Sequence, residues 1–160
     1  MEDTVKLAVG DKAPDFEATI TNGTTIRLSE ILGSGEGIVL YFYPKDNTPG
    51  CTTEACDFRD NFNRLQGAGW RVIGVSKDLT KSHTNFANKY QLPFDLIVDE
   101  DIALHKMYGA WKEKRMYGKT FLGCLRSTFA IAPDRTIVWA GYGVRAKGHV
   151  DRLMNDLGIT

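Results

Sequence analysis

Cys51 and Cys56, five residues apart, sit in the stretch Tyr41-Phe-Tyr-Pro-Lys-Asp-Asn-Thr-Pro-Gly-Cys51-Thr-Thr-Glu-Ala-Cys56. A sulfur becomes a nucleophile only as thiolate, and the setting of Cys51 favours that form. An apolar run ends at Pro44, a loop follows to Gly50, and a helical pattern starts at Cys51. The first turn of a helix offers unpaired N–H groups and the positive end of the helix dipole. Cysteines so placed can titrate well below the free value of about 8.5. Thr48, three residues earlier, can place its hydroxyl beside the sulfur, donating to it or to an oxygen of a bound substrate. Pro44 and Pro49 stiffen the loop and limit competing donors and water. A lone helical cysteine is ordinarily inert core filler; the Pro, Thr, Pro, Gly setting argues for a working sulfur. Four residues between two cysteines also suit a zinc ligand pair. A second pair is missing, however, since Cys124 stands alone and His83, His105 and His149 are scattered.

The elements that must position this segment read as alternating strands and helices. Asn22-Gly23 between Phe16–Thr19 and Thr25–Leu28 predicts a hairpin, and Ser29 is placed to cap a short helix ending near Gly33. Gly37–Tyr43 is an almost unbroken apolar run, as a strand covered on both faces requires. A helix over Cys51–Leu65 follows, then a strand over Trp70–Ser76, a helix over Lys81–Tyr90, a strand over Phe94–Val98 and a helix over Ile102–Tyr108. Thr128–Ala132 and Thr136–Tyr142 flank the turn Pro133-Asp134-Arg135 and form an antiparallel pair. Gly148–Leu157 closes the chain as an amphipathic helix. The order predicts an α/β fold with a mixed central sheet flanked by helices and an N-terminal β-hairpin extension.

Length and charge bound the reading. The 160 residues suit one domain over 1–160, and 20 basic against 20 acidic residues leave no net field to steer the chain to nucleic acid or membrane. No apolar run reaches the length of a membrane span. Met1–Gly10 carries two acids and no apolar signal region, so a cytoplasmic location is expected. Three cysteines are too few, and odd in number, for a secreted disulfide scaffold. Lys112-Glu-Lys-Arg115, between Trp111 and Tyr117, is expected to be a solvated loop rather than a nucleic-acid patch. Gly33-Ser-Gly-Glu-Gly37 lacks the Lys-Ser/Thr of a phosphate loop and reads as a turn. Trp70 and Trp139 fall in strand patterns and belong to the core.

Pro44, Thr48 and Cys51 fit the pattern Pro-x-x-x-Thr-x-x-Cys, and here the chain resembles the peroxiredoxins, in particular the bacterioferritin comigratory protein or peroxiredoxin Q subfamily. Further words agree: Gly10-Asp-Lys-Ala-Pro-Asp-Phe16, Lys89-Tyr-Gln-Leu-Pro-Phe94, Tyr117-Gly-Lys-Thr120 and Arg126-Ser-Thr-Phe129. The resemblance implies a thioredoxin-like fold and reduction of hydrogen peroxide and organic hydroperoxides without metal, haem or flavin. It implies that Cys51 is the peroxidatic cysteine, that Thr48 orients the peroxide and that Pro44 shields the pocket. Arg126 matches the arginine that favours the thiolate and stabilises charge on the peroxide oxygens. Cys56 matches the resolving cysteine of members with this spacing; other members carry it on the next helix, where this chain has none. An intramolecular Cys51–Cys56 disulfide recycled by a thioredoxin-like dithiol is therefore implied. With both sulfurs in one chain, a monomer is expected.

Cys124 departs from the family words, which carry an aliphatic residue there, and is expected to act as a small hydrophobe. Two residues before Arg126, it would share a face with it if both lay on one strand. Two other activities use the same residues: a redox sensor switched at Cys51, and a dithiol–disulfide oxidoreductase. The latter resembles Cys-x-x-Cys enzymes, and no Cys-x-x-Cys occurs in this chain.

Overall fold

The computed structural model describes residues 5–159. Its centre is the apolar run anticipated above: β3 (Gly37–Phe42), buried at every position. Side chains of a strand alternate between faces, so Ile38, Leu40 and Phe42 enter one core cluster while Val39, Tyr41 and Tyr43 enter the other. A strand with apolar residues at both parities cannot lie at a surface; it needs cover on each side.

Around it the sheet has seven strands in the order β2-β1-β5-β4-β3-β8-β9. β1 (Glu17–Ile20) and β2 (Thr25–Arg27) form the N-terminal hairpin. β4 (Trp70–Ser76) and β5 (Asp95–Val98) run parallel to β3, whereas β8 (Ser127–Ile131) and β9 (Ile137–Tyr142) run antiparallel to their neighbours. α1 (Leu28–Gly33) and α5 (Ala103–Met107) contribute to the first cluster. α2 (Pro49–Asp60), α3 (Phe62–Gly67), α4 (Thr80–Tyr90) and α6 (His149–Asp156) contribute to the second. The expected mixed sheet between helices is therefore present. Trp139 is buried as expected, and Trp70 packs half-buried over Gly37, where a Cβ would sit 2.6 Å from the indole.

Three local expectations are corrected. Ser29 does not cap α1; the N-cap is Arg27, and the Ser29 N–H is instead taken by Asp15 Oδ1 at 2.9 Å. The single helix expected over Cys51–Leu65 breaks at Asn61, whose N–H and side-chain amide both return to the Asp57 carbonyl. Finally, Lys112–Arg115 is not a loop but part of β6 (Trp111–Met116), paired antiparallel with β7 (Lys119–Cys124) as a separate two-stranded ribbon.

Candidate active site

β3 ends where the chain must turn from the sheet to α2, and the loop between them is held from both sides. Asp46 is buried and accepts hydrogen bonds from Tyr43 Oη at 2.6 Å and Ser82 Oγ at 2.9 Å, with His83 Nδ1 at 2.7 Å. Its N–H donates to Asp78 Oδ2 at 2.8 Å, and that oxygen also receives Ser76 Oγ at 2.7 Å. The other ring nitrogen of His83 meets a carbonyl, Ile97 O at 2.8 Å. A carbonyl only accepts, so Nε2 carries a proton. Asp46, Asp78 and His83 could group around a cation, yet their polar atoms bond inward and fasten the loop to β4 and α4.

At the far end of this loop Pro49 opens α2. Pro49 has no N–H to lose, which suits a first helical position. The Thr52 N–H reaches the Thr48 carbonyl at 2.8 Å, leaving the N–H groups of Gly50 and Cys51 at the sulfur's end of the helix. Cys51 is buried, and its sulfur accepts a hydrogen bond from Arg126 Nη2 at 3.5 Å. Gly50 eases that approach, since a Cβ there would stand 3.2 Å from Nη2, a tighter contact than usual. The expected donation from Thr48 to the sulfur is not made. Its hydroxyl donates to the Lys45 carbonyl at 2.8 Å, which leaves the oxygen lone pairs to accept. Pro44 is half-buried beside them.

Arg126 lies in the two-residue link between β7 and β8, which corrects the notion that it shares a strand with Cys124. Cys124 packs in the cluster on the other face of the sheet from Cys51, and burial pushes its thiol up to about 12. Burial also raises Cys56, which is half-exposed and five residues along α2, against the pull of Arg59. All three cysteines are free thiols.

One site residue was not singled out from the sequence. Glu54 lies one turn after Cys51, fully buried, with Oε1 accepting from Arg126 Nη1 at 2.6 Å. The guanidinium thus spans sulfur and carboxylate, which fixes its plane. Burial lowers Arg126, but Glu54 and the Cys51 sulfur more than offset it, so its ordinary value is exceeded. Burial pushes Glu54 the other way, up to about 7 in spite of Arg126. Its second oxygen has no hydrogen-bond partner and faces His149 Nε2 at 3.4 Å. That nitrogen shares a hydrogen bond with Thr128 Oγ1 at 2.8 Å. Burial, with Arg126 and Arg152 near, depresses His149 to about 4, so the ring is neutral at pH 7 and its contact with Glu54 is no ion pair.

These opposite shifts predict a pH signature. Glu54 rises from 4.5 to about 7 on folding, so its contribution to stability is full below 4.5 and lost as pH rises through 7. His149 falls from 6.5 to about 4, so its contribution is full above 6.5 and lost as pH falls through 4. Between these values the two slopes oppose each other, each at most about 1.4 kcal/mol per pH unit. Glu54→Gln removes one of them. Relative to the wild type, it is expected to gain about 2 kcal/mol between pH 5 and pH 6.5 in urea titrations. A stability difference that does not vary with pH counts against a buried Glu54 proton.

Comparisons with known proteins follow the same lines. Residues 9–140 match the model of the AhpC/TSA family. The chain is 42% identical over 151 residues to the peroxiredoxin Bcp of Bacillus subtilis, covering 94% of this chain and 95% of that one. Against the peroxiredoxin Bcp of Escherichia coli it is 38% identical over 149 residues, with 93% and 94% covered. Among solved structures, peroxiredoxin Q of Xanthomonas campestris superposes with a TM-score of 0.83 at 41% identity, covering 89% of this chain and 90% of that one. A Cys-to-Ser variant of the Xylella fastidiosa protein gives 0.88 at 35% identity, covering 96% and 97%.

Proposed function

Because the chain belongs to the AhpC/TSA family, and within it to the peroxiredoxins, which are thiol peroxidases, we propose that Cys51 is the sulfur that attacks the peroxide. The observation that carries this is the Arg126 guanidinium, 3.5 Å from Cys51 Sγ at the N-terminus of α2 and braced by Glu54 at 2.6 Å. Two positive influences, the guanidinium and the N-terminus of α2, converge on one sulfur. The thiolate attacks the peroxide's hydroxyl oxygen and the O–O bond breaks; that oxygen stays on sulfur with its hydrogen, and the second oxygen leaves as hydroxide or alkoxide, taking a proton from solvent to become water or alcohol. Sulfur is oxidised to sulfenic acid and the peroxide is reduced. Arg126 stabilises charge on the oxygens. Thr48, its hydroxyl hydrogen donated to the Lys45 carbonyl, accepts from the peroxide O–H, and Pro44 limits water at the site. Glu54 positions Arg126.

Cys56 then displaces water from the sulfenic acid to form a disulfide, which an external dithiol of the thioredoxin type reduces by exchange. That step demands local unfolding. Both cysteines lie within α2, where five residues separate Cα atoms by about 8.6 Å, beyond the roughly 7 Å a disulfide tolerates. Oxidation is expected to cost α2 its first turns, with faster amide exchange over Cys51 to about Arg59 and less helical circular dichroism. Unchanged exchange there in the oxidised chain excludes a Cys51–Cys56 bond.

The cycle closes within one chain, so a monomer suffices. A reducing compartment such as the cytoplasm suits sulfurs that must begin each turnover as thiols; among the described residues no helix is long and apolar enough to cross a membrane. The reading as a whole is tested by NADPH oxidation coupled through thioredoxin, with hydrogen peroxide and with alkyl hydroperoxides, alkyl peroxide reduction being an activity of the similar Xanthomonas campestris bacterioferritin comigratory protein. Insulin reduction without peroxide consumption would reassign the chain to protein dithiol exchange.

A further inference from the structure

Equal numbers of acidic and basic residues over the whole chain conceal a local imbalance in the ribbon β6–β7. The two strands pair only with each other and stand apart from the seven-stranded sheet. Their register sets Lys112 opposite Gly123, Lys114 opposite Phe121 and Met116 opposite Lys119. Paired residues share a face, and alternate pairs share the same one, so three lysines, Phe121 and Met116 form a single surface. Side-chain positions agree: a Cβ on Gly123 would meet Lys114 Cδ at 3.4 Å and Phe121 Cε2 at 3.5 Å. Glu113, the ribbon's one acid, falls on the opposite face with Leu122, and that face enters the core at Trp111 and Cys124. Lys112 leans over the Tyr142 ring at 6.0 Å. Among the described residues, none of Lys112, Lys114, Arg115 and Lys119 pairs with an acid.

The same ribbon concentrates exposed apolar surface. Nine large hydrophobic side chains are exposed among the described residues, and four of them are here: Met116, Tyr117, Phe121 and Leu122. Tyr117, at the tip, is 96% exposed. Isolated exposed hydrophobes need no explanation, but a cluster ringed by unpaired lysines does.

We propose that the β6–β7 ribbon is an arm that docks on an anionic lipid surface. In that pose the lysines lie at headgroup level, and Tyr117, Met116 and Phe121 reach the acyl boundary. Charge complementarity selects this partner. Lysine is depleted from protein–protein contact surfaces, whereas lysines flanking aromatic and aliphatic side chains are the composition of segments that lie in a bilayer interface. Arg126 is two residues beyond the end of β7, at the end of the ribbon away from Tyr117, so docking by the tip tethers the Cys51 site roughly 20 Å from the acyl boundary. The docking itself does not depend on the peroxidase reading proposed above.

Co-sedimentation of the full reduced chain with vesicles tests the arm without any turnover. Binding is expected to phosphatidylglycerol–phosphatidylcholine vesicles and not to phosphatidylcholine alone, and it should weaken as salt is raised. Lys114→Glu combined with Lys119→Glu should lower it roughly tenfold or more, and Phe121→Ser should weaken it with the charges intact. These positions are exposed or half-buried, so circular dichroism of the variants should match the wild type. No binding to the anionic vesicles, or equal binding by wild type and the double lysine variant, overturns the proposal. So does a double variant whose only defect is a raised KM for a protein dithiol reductant, which would make the arm a protein-docking surface.

Discussion

Cys51→Ser is expected to reduce peroxide turnover below about a hundredth of the wild-type rate, a barrier increase of at least about 2.7 kcal/mol. The two remaining sulfurs cannot take over. Burial holds Cys124 up at about 12 on the far face of the sheet. Cys56 is raised by burial and by Asp60 and Asp57, with only Arg59 opposing. Neither lies at the N-terminus of α2, and the guanidinium of Arg126 donates to Cys51 instead. Stopped-flow peroxide consumption by the Ser variant, with a dithiol in excess, checks this. A retained rate above that bound would make Cys56 or Cys124 the nucleophile.

Arg126→Met should slow the reaction with peroxide by roughly a hundredfold to a thousandfold, the scale of losing a preorganised charge at developing negative oxygens. The fold should survive, because Glu54, already pushed up to about 7, can take a proton once its cation is gone. Arg126→Lys separates charge from geometry. A lysine keeps the charge but cannot bridge Cys51 and Glu54 through two rigidly linked nitrogens, so an intermediate rate is expected. An unchanged rate with peroxide in Arg126→Met would defeat the assigned role.

What the sequence made legible was local. Gly37–Phe42 advertises its own double burial, and Pro49-Gly50-Cys51 announces a helix start. Where long-range contacts decide, the signal fades. Asp15 caps α1 from 14 residues before Ser29, so the nearer serine was the natural but mistaken choice. Glu54 looks like any acid near a helix N-terminus; its importance depends on an arginine 72 residues away. The apolar spacing Phe58, Phe62, Leu65 continues through Asn61 and hides the break there. β6–β7 is polar or exposed along most of both faces, so no core imposes the alternation by which strands are usually recognised.

The placement of both sulfurs inside α2 has a thermodynamic consequence for the redox couple. If closing the bond melts the start of the helix, reopening it lets the helix re-form, and helix stability is then credited to the reduced state. A stabilised dithiol means a more oxidising disulfide. Each 1.4 kcal/mol of helix regained raises the two-electron potential by about 30 mV. The break at Asn61 limits how much can be credited, since α3 begins anew at Phe62 and can keep its own packing on Leu65. On the proposed cycle the helix is a bounded spring: wound in the reduced chain, released on oxidation, and favouring electron uptake from the next dithiol. Residues on the exposed face of α2 that alter helix propensity should therefore tune the midpoint potential without touching the peroxide site.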